Sequence, residues 1–216
     1  MHSISLSVSK EIYQVCPQFE YAAIQCRVEN SQKDEGLWHE IHQAEQEIRE
    51  KYKMEEINKI PAIRATREAY KSLGKDPNRY RPSAEALCRR IVKEIGIYQI
   101  DTLVDLINLV SIRTGYSIGG FDADKIQGNL VLGVGQKGEP FEAIGRGILN
   151  IEGLPVYRDT VGGVGTPTSD NERTKISLET TNLLMIINGY SGKDGLQEAV
   201  NYSKILLGKY AKAVFE

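Results

Sequence analysis

Histidine and cysteine are scarce in this chain, three of each among 216 residues, and histidine is absent after position 42. A serine or cysteine triad would therefore have to borrow its base from the N-terminal part, and no Gly-x-Ser-x-Gly elbow is present. Cys16, Cys26 and Cys88 are odd in number and share no metal-ligand spacing. They read as reduced thiols of a cytoplasmic protein, with no metal and no cofactor expected. No apolar run approaches the ~20 residues that span a bilayer. The opening MHSISLSVSKEIY lacks a basic stretch followed by an apolar core, so neither a signal peptide nor a membrane partner is expected. Repeats, low-complexity tracts and Pro/Gly/Ser linkers are missing too.

What is present is ordinary in bulk: 41% hydrophobic, 26% charged and a formal net charge of −2. That balance argues against a generic nucleic-acid binder and against DNA as a partner. The distribution of charge is less even. Asp34 to Glu56 carries eight acidic and three basic side chains, whereas Arg64 to Lys93 carries nine basic and three acidic ones. A basic stretch beside an acidic one can steer a phosphate backbone to one face, and it is equally the pattern of two solvated helices of opposite sign.

The periodicities indicate a mixed α/β chain. Tyr21 to Val28 reads as a strand, and Leu37 to Tyr52 as an acidic amphipathic helix with Trp38, Ile41, Ala44 or Glu45, and Ile48 inward. Pro61 opens a helix to Leu73, which Gly74 closes. Pro77 and Pro82 hold 76–82 as a loop, after which Ser83 is placed to cap a helix with Leu87, Ile91 and Ile95 on one stripe. Asp101 caps TLVDLINLVSIRT, apolar on nearly every side and so buried, ending at Gly115. Beyond it lie glycine-punctuated strands at Leu130 to Val134, Phe141 to Gly145, Pro155 to Arg158, Lys175 to Leu178 and Leu183 to Ile187. Asp194 is placed to cap a last helix to about Ala211. This order predicts a layered α/β domain over 61–216, with a strand and acidic helix of residues 1–60 packed on it.

Few motifs carry chemistry. Gly133-Val-Gly135-Gln-Lys-Gly138 matches the dinucleotide fingerprint in letters, but a return strand rather than a helix follows, so no pyrophosphate site is expected. His39 and His42 lie on an acidic helix without a third ligand and read as surface residues. Asn108, inside the apolar helix, and Glu179, at the end of KISLETTNLLMII, are polar groups where burial is costly. Each reads equally as a satisfied structural group or as part of a site. Val161 to Thr166 is a glycine-rich turn whose backbone can approach a ligand closely.

These elements together carry a resemblance. Gly96 to Gly128 (GIYQIDTLVDLINLVSIRTGYSIGGFDADKIQG) resembles the B3/B4 editing module of the bacterial phenylalanyl-tRNA synthetase β-subunit. That family reads G-I-R-P-I-N-N-V-V-D-I-T-N-Y-V, then G-Q-P-L-H-A-F-D and D-K-L-x-G. Gly96, Ile97, Ile100, Val104, Asp105, Asn108, Gly115, Phe121, Asp122, Asp124, Lys125 and Gly128 match in register without a gap. Pro82-Ser83 resembles the family's helix entry, and Asp159-Thr160-Val161-Gly162-Gly163 its glycine-rich loop. Ser177-Leu178-Glu179 falls at the family's pocket glutamate. The resemblance covers roughly Asp76 to Tyr190.

In that family the module hydrolyses tyrosine wrongly esterified to tRNA for phenylalanine. The resemblance implies a layered β/β/α fold and a free-standing, trans-acting aminoacyl-tRNA deacylase. It implies Asn108 and Glu179 as the catalytic pair, in a pocket formed with Ile107, Gly119, Thr160, Gly162 and Gly163. Gly119 stands where the family has histidine and Ile107 where it has threonine, so a broad or small amino-acid preference is expected. Aminoacyl-tRNA is the expected partner, its acceptor stem meeting Arg79, Arg81, Arg89, Arg90 and Lys93 while Tyr80 stacks a terminal base. The alternative is a non-catalytic RNA-binding or amino-acid-sensing module that keeps the fold.

Overall fold

The computed structural model describes residues 3–215. The chain begins β1 (Leu6–Val8), α1 (Lys10–Val15), β2 (Glu20–Arg27), α2 (Glu35–Lys51), α3 (Pro61–Ser72), α4 (Ser83–Val92) and α5 (Thr102–Thr114). It continues β3 (Ile118–Asp122), β4 (Leu130–Val134), β5 (Glu142–Ala143), β6 (Gly147–Ile148), β7 (Pro155–Arg158) and β8 (Gly163–Gly165). It closes with β9 (Asn182–Gly189), α6 (Leu196–Ala211) and β10 (Val214–Phe215).

β9 explains the layering. Leu183 to Ile187 is apolar at five successive positions because both faces of this strand are covered. Leu183, Met185 and Ile187 join Ile24 and Cys26 of β2 in a core shared with α2, α4, α5 and α6. Leu184 and Ile186 face the opposite way, onto Leu130, Leu132, Tyr157 and Val164 of the second sheet. The fold is therefore a mixed α/β stack of helices, an inner sheet ordered β10-β2-β9-β3 and an outer sheet ordered β1-β4-β7-β8. Each of those five side chains is at most 2% exposed, and each contributes on the order of 1.5–3 kcal/mol by leaving water.

The first sixty residues are integral to this core. β2 lies inside the sheet, pairing with β9 along its whole length. α2 buries Leu37, Trp38, Ile41, Ala44 and Ile48 against α4 and α5. Its buried Glu45 accepts the Ile97 N–H at 2.9 Å, pinning the loop after α4.

Helix ends follow the sequence in part. Asp101 caps α5 through the Val104 N–H, and Gly115 ends it at φ 79°. Ser83 is the first helical residue of α4 rather than its cap, and α6 starts after Gly195 (φ 82°) without a side-chain cap from Asp194. Lys175 to Leu178 is not a strand but a loop leading into a turn. Phe141 to Gly145 shortens to β5, which pairs with β6 as a small hairpin over 142–148.

Candidate functional site

A cavity of about 740 Å³ opens where α5, β3 and the segment after β8 converge. Val104, Ile107, Asn108 and Ser111 fall at i, i+3, i+4 and i+7, so one face of α5 forms its floor. The other faces of α5 pack on α2, α4 and α6, which holds that floor rigid. Ile118 and Gly120 of β3 supply one wall, and Ser169, Asp170, Lys175 and Ile176 adjoin it. Tyr98, Ile100 and the β5–β6 hairpin form the rim.

Gly120 is small for a reason. A Cβ there would lie 2.5 Å from Ile107 Cδ1 and 3.0 Å from Ile176 Cδ1. Its N–H donates to Asp170 Oδ2 at 3.2 Å. Gly119 points to the other face of the strand, where a Cβ would meet the Phe121 ring at 2.7 Å. A larger side chain at 119 would thus displace the inter-sheet core, and Gly120 is the glycine that lines the cavity.

Asp170 is the carboxylate among the lining residues, with Oδ2 on the Gly120 N–H and Oδ1 on the side of Gly119 and Gly165. Desolvation pushes its pKa up to about 7, against the opposing pull of the Gly120 N–H. Its segment is fixed on both sides, since Gly165 bridges to Asp170 and the Ile144 N–H donates to the Asp170 carbonyl at 3.0 Å. Asn108 reaches the same cavity, and its amide has no hydrogen-bond partner among the described residues. Ser111 is occupied, donating to the Tyr116 carbonyl at 2.7 Å. A second carboxylate, Asp105, is buried beneath, accepting from Trp38 Nε1 (2.8 Å) and the Ile100 N–H (2.9 Å). Burial raises its pKa to about 6, and its two donors make it a structural tie between α2, α5 and the rim.

Glu179 lies elsewhere. It is exposed in the turn before β9, its pKa lowered by the Ser177 hydrogen bond, and it does not line the cavity. The apolar run that suggested its burial begins only at Leu183. Thr160, Gly162 and Gly163 are also outside the cavity. The N–H groups of Val161 and Gly162 are taken by Asp159 Oδ1 at 2.9 and 3.1 Å, so this loop offers no open donor pair there. Asp159 is held in turn by Arg173.

The basic residues divide. Glu85, fully buried, accepts from Arg67 Nη1 (2.7 Å) and Arg89 Nε (2.8 Å), with Arg81 Nε at 3.6 Å. Arg81 and Arg89 therefore balance an internal charge. Tyr80 has Lys75 Nζ 3.7 Å over its ring and is partly buried against the cluster of Phe141 and Leu154, so its ring is already engaged. Arg79 and Lys93 are exposed, as are Arg146 and Lys175 at the cavity. Arg90 is fixed against Tyr98.

A second hollow of about 840 Å³ lies between α3, α5 and α6. Its Arg113 pairs with Glu47, and its Glu40 with Lys209 and Tyr210, so these charges are already neutralised.

Residues 65–203 match the model of the B3/4 domain. The chain belongs to the B3/4 domain family. It is 33% identical over 92 residues to the phenylalanine–tRNA ligase beta subunit of Bartonella henselae, covering 38% of this chain and 11% of that one. A solved N-terminal fragment of the phenylalanyl-tRNA synthetase beta-subunit from Pyrococcus horikoshii superposes with a TM-score of 0.54 at 14% identity. That match covers 98% of this chain and 50% of the fragment, and it bears on the fold alone. This B3/4 chain is thus a synthetase-related module, spanning about a tenth of the ligase subunit and half of the solved fragment. Among the described residues no helix is long and apolar enough to cross a membrane.

Proposed function

We propose that this B3/4 protein is a trans-acting aminoacyl-tRNA deacylase whose cavity receives the aminoacyl ester. The observation that carries the reading is Asp170, a desolvated carboxylate among the residues of an otherwise largely apolar cavity that the open amide of Asn108 also lines. A base whose pKa lies near neutrality is suited to take a proton from water at working pH. The ester is already activated, so placing a water and orienting the carbonyl is enough catalysis.

In this mechanism Asp170 takes the proton of a water that attacks the ester carbonyl, while Asn108 holds the acyl group by its amide. The acyl–oxygen bond to the ribose then breaks, the ribose oxygen recovers the proton, and free amino acid and deacylated tRNA leave. Asp170 takes the part that the family resemblance gives to Glu179. Ile107, Ile118 and Ile176 leave side-chain recognition to apolar contact, which discriminates weakly and favours a broad or small amino-acid range. Exposed Arg79, Lys93 and Arg146 provide the charge for the acceptor-stem phosphates, Lys175 being paired with Glu172.

The test is a panel of mischarged aminoacyl-tRNAs timed with sub-stoichiometric protein at neutral pH. Turnover lost in Asp170→Asn and reduced in Asn108→Ala is expected. A folded wild-type protein that accelerates no ester over buffer refutes the reading. Hydrolysis of tyrosyl-tRNA alone refutes the broad preference.

A further inference from the structure

The rim of the cavity holds a feature that ester hydrolysis does not require. Tyr98 is 58% exposed yet does not hang loose. The Arg90 guanidinium lies 3.8 Å from its ring centroid, and Arg90 Nη1 donates to its hydroxyl at 2.9 Å. Arg90 is itself anchored through Nε to the Gly96 carbonyl at 3.0 Å. The ring is therefore fixed from one side and open to solvent, at the mouth of the cavity.

The rim also includes the β5–β6 hairpin. It presents Ile144 and Ile148, 41% and 84% exposed, with Arg146 between them. Gly145 and Gly147 at φ 67° and 71° make the tight turn. Hydrogen bonds from Ile144 N–H to the Asp170 carbonyl (3.0 Å) and from Gly145 N–H to Glu172 Oε1 (3.2 Å) tie the hairpin to the catalytic wall. An exposed apolar and aromatic mouth with the exposed cation Arg146 beside it matches a planar base carried on a phosphate chain. An aromatic ring backed by a guanidinium is a pre-organised stacking surface, because little side-chain freedom is lost when a base lands on it.

We infer that Tyr98, braced by Arg90, is the platform on which the terminal nucleobase of the tRNA acceptor end stacks, at a mouth that Ile144 of the hairpin also lines. The inference rests on the reading of the cavity as the aminoacyl-ester site, and it transfers the stacking role from Tyr80 to Tyr98.

An uncharged RNA minihelix ending in 2-aminopurine at its 3′ position reports base stacking without any ester. With wild-type protein its fluorescence is quenched on binding. In Tyr98→Ala the quenching is lost and Kd rises roughly five-fold or more, the range found for base–aromatic stacking. Tyr98→Phe and Tyr98→Trp keep both, since the ring rather than the hydroxyl is what the base meets. Quenching and Kd unchanged in Tyr98→Ala overturn the platform, as does a loss in Tyr98→Phe equal to that in Tyr98→Ala. Ester hydrolysis timed on the same preparations separates this from the catalytic reading. Ring-dependent quenching without hydrolysis supports the platform and overturns the deacylase, and hydrolysis with a Tyr98→Ala variant of unaltered affinity does the reverse.

Discussion

Replacing Asp170 by asparagine should make the protein more stable and inactive at once. The carboxylate's pKa stands at about 7 against an ordinary 3.8, because burial disfavours its charge. The folded chain therefore holds this proton more tightly than the unfolded chain, and stability contributed by the protonated form is lost as pH rises from about 4 to about 7. A shift of roughly three units corresponds to about 4 kcal/mol. Water reaching a side chain on an open cavity reduces this to about 2 kcal/mol. Asparagine keeps an oxygen for the Gly120 N–H and carries no charge. At pH 8 the variant should exceed wild type by about 2 kcal/mol, or about 4–8 °C in Tm for a chain of this size. Near pH 4 the two should coincide. Asp105 contributes a slope of the same sign to both proteins and cancels in the difference. Urea and thermal unfolding across this pH range measure the effect. Equal or lower stability of Asp170→Asn at pH 8, or undiminished hydrolysis, would refute the reasoning.

Glu85→Ala strands Arg67 and Arg89 inside the protein and should cost about 3–5 kcal/mol, read by urea unfolding. The double replacement Glu85→Leu with Arg67→Met should recover much of it. Gly120→Val pushes on Ile107 and Ile176 and fills the cavity; hydrolysis should fall at least ten-fold while the affinity for uncharged tRNA holds, by timed deacylation and filter binding. Arg146→Ala should lower the salt slope of tRNA binding by about one without altering the amino-acid preference.

Five of the six α-helices among the described residues were legible because their signals are local; the short α1 was not. Asp101 and Gly115 bracket α5 by capping chemistry alone, and its apolar circumference announced burial on all sides. β9 was legible as an apolar run, although not that its alternate residues serve two different cores. β1, β8 and β10 are two or three residues long and exist through pairing with distant strands, which no local period records. β3 was not named among the strands, and its adjacent glycines are explained only by Ile107 and Phe121, which show why each must be small. Asp170 escaped for a related reason. It sits in the polar run TPTSDNERT, and only the approach of β3 and the hairpin desolvates it. Asn108 stood out because an amide on an apolar helix is locally anomalous. The family resemblance placed the glutamate by letters in register, and the turn at 178–179 puts it outside the cavity.

The pairing of β2 with β9 also has a temporal side. Arg27 meets Asn182 and Glu20 meets Gly189, partners 155 and 169 residues apart in the chain. During synthesis, everything before β9 must wait for the strand that divides its two cores. Until then Ile24 and Cys26 on one side, and Leu132 and Tyr157 on the other, lack their central partner. Such non-local closure makes for slow acquisition of the native state and a long-lived nascent intermediate with apolar surface uncovered. A ribosome-bound chain halted before residue 182 should therefore be protease-sensitive throughout, and one released after β9 abruptly resistant.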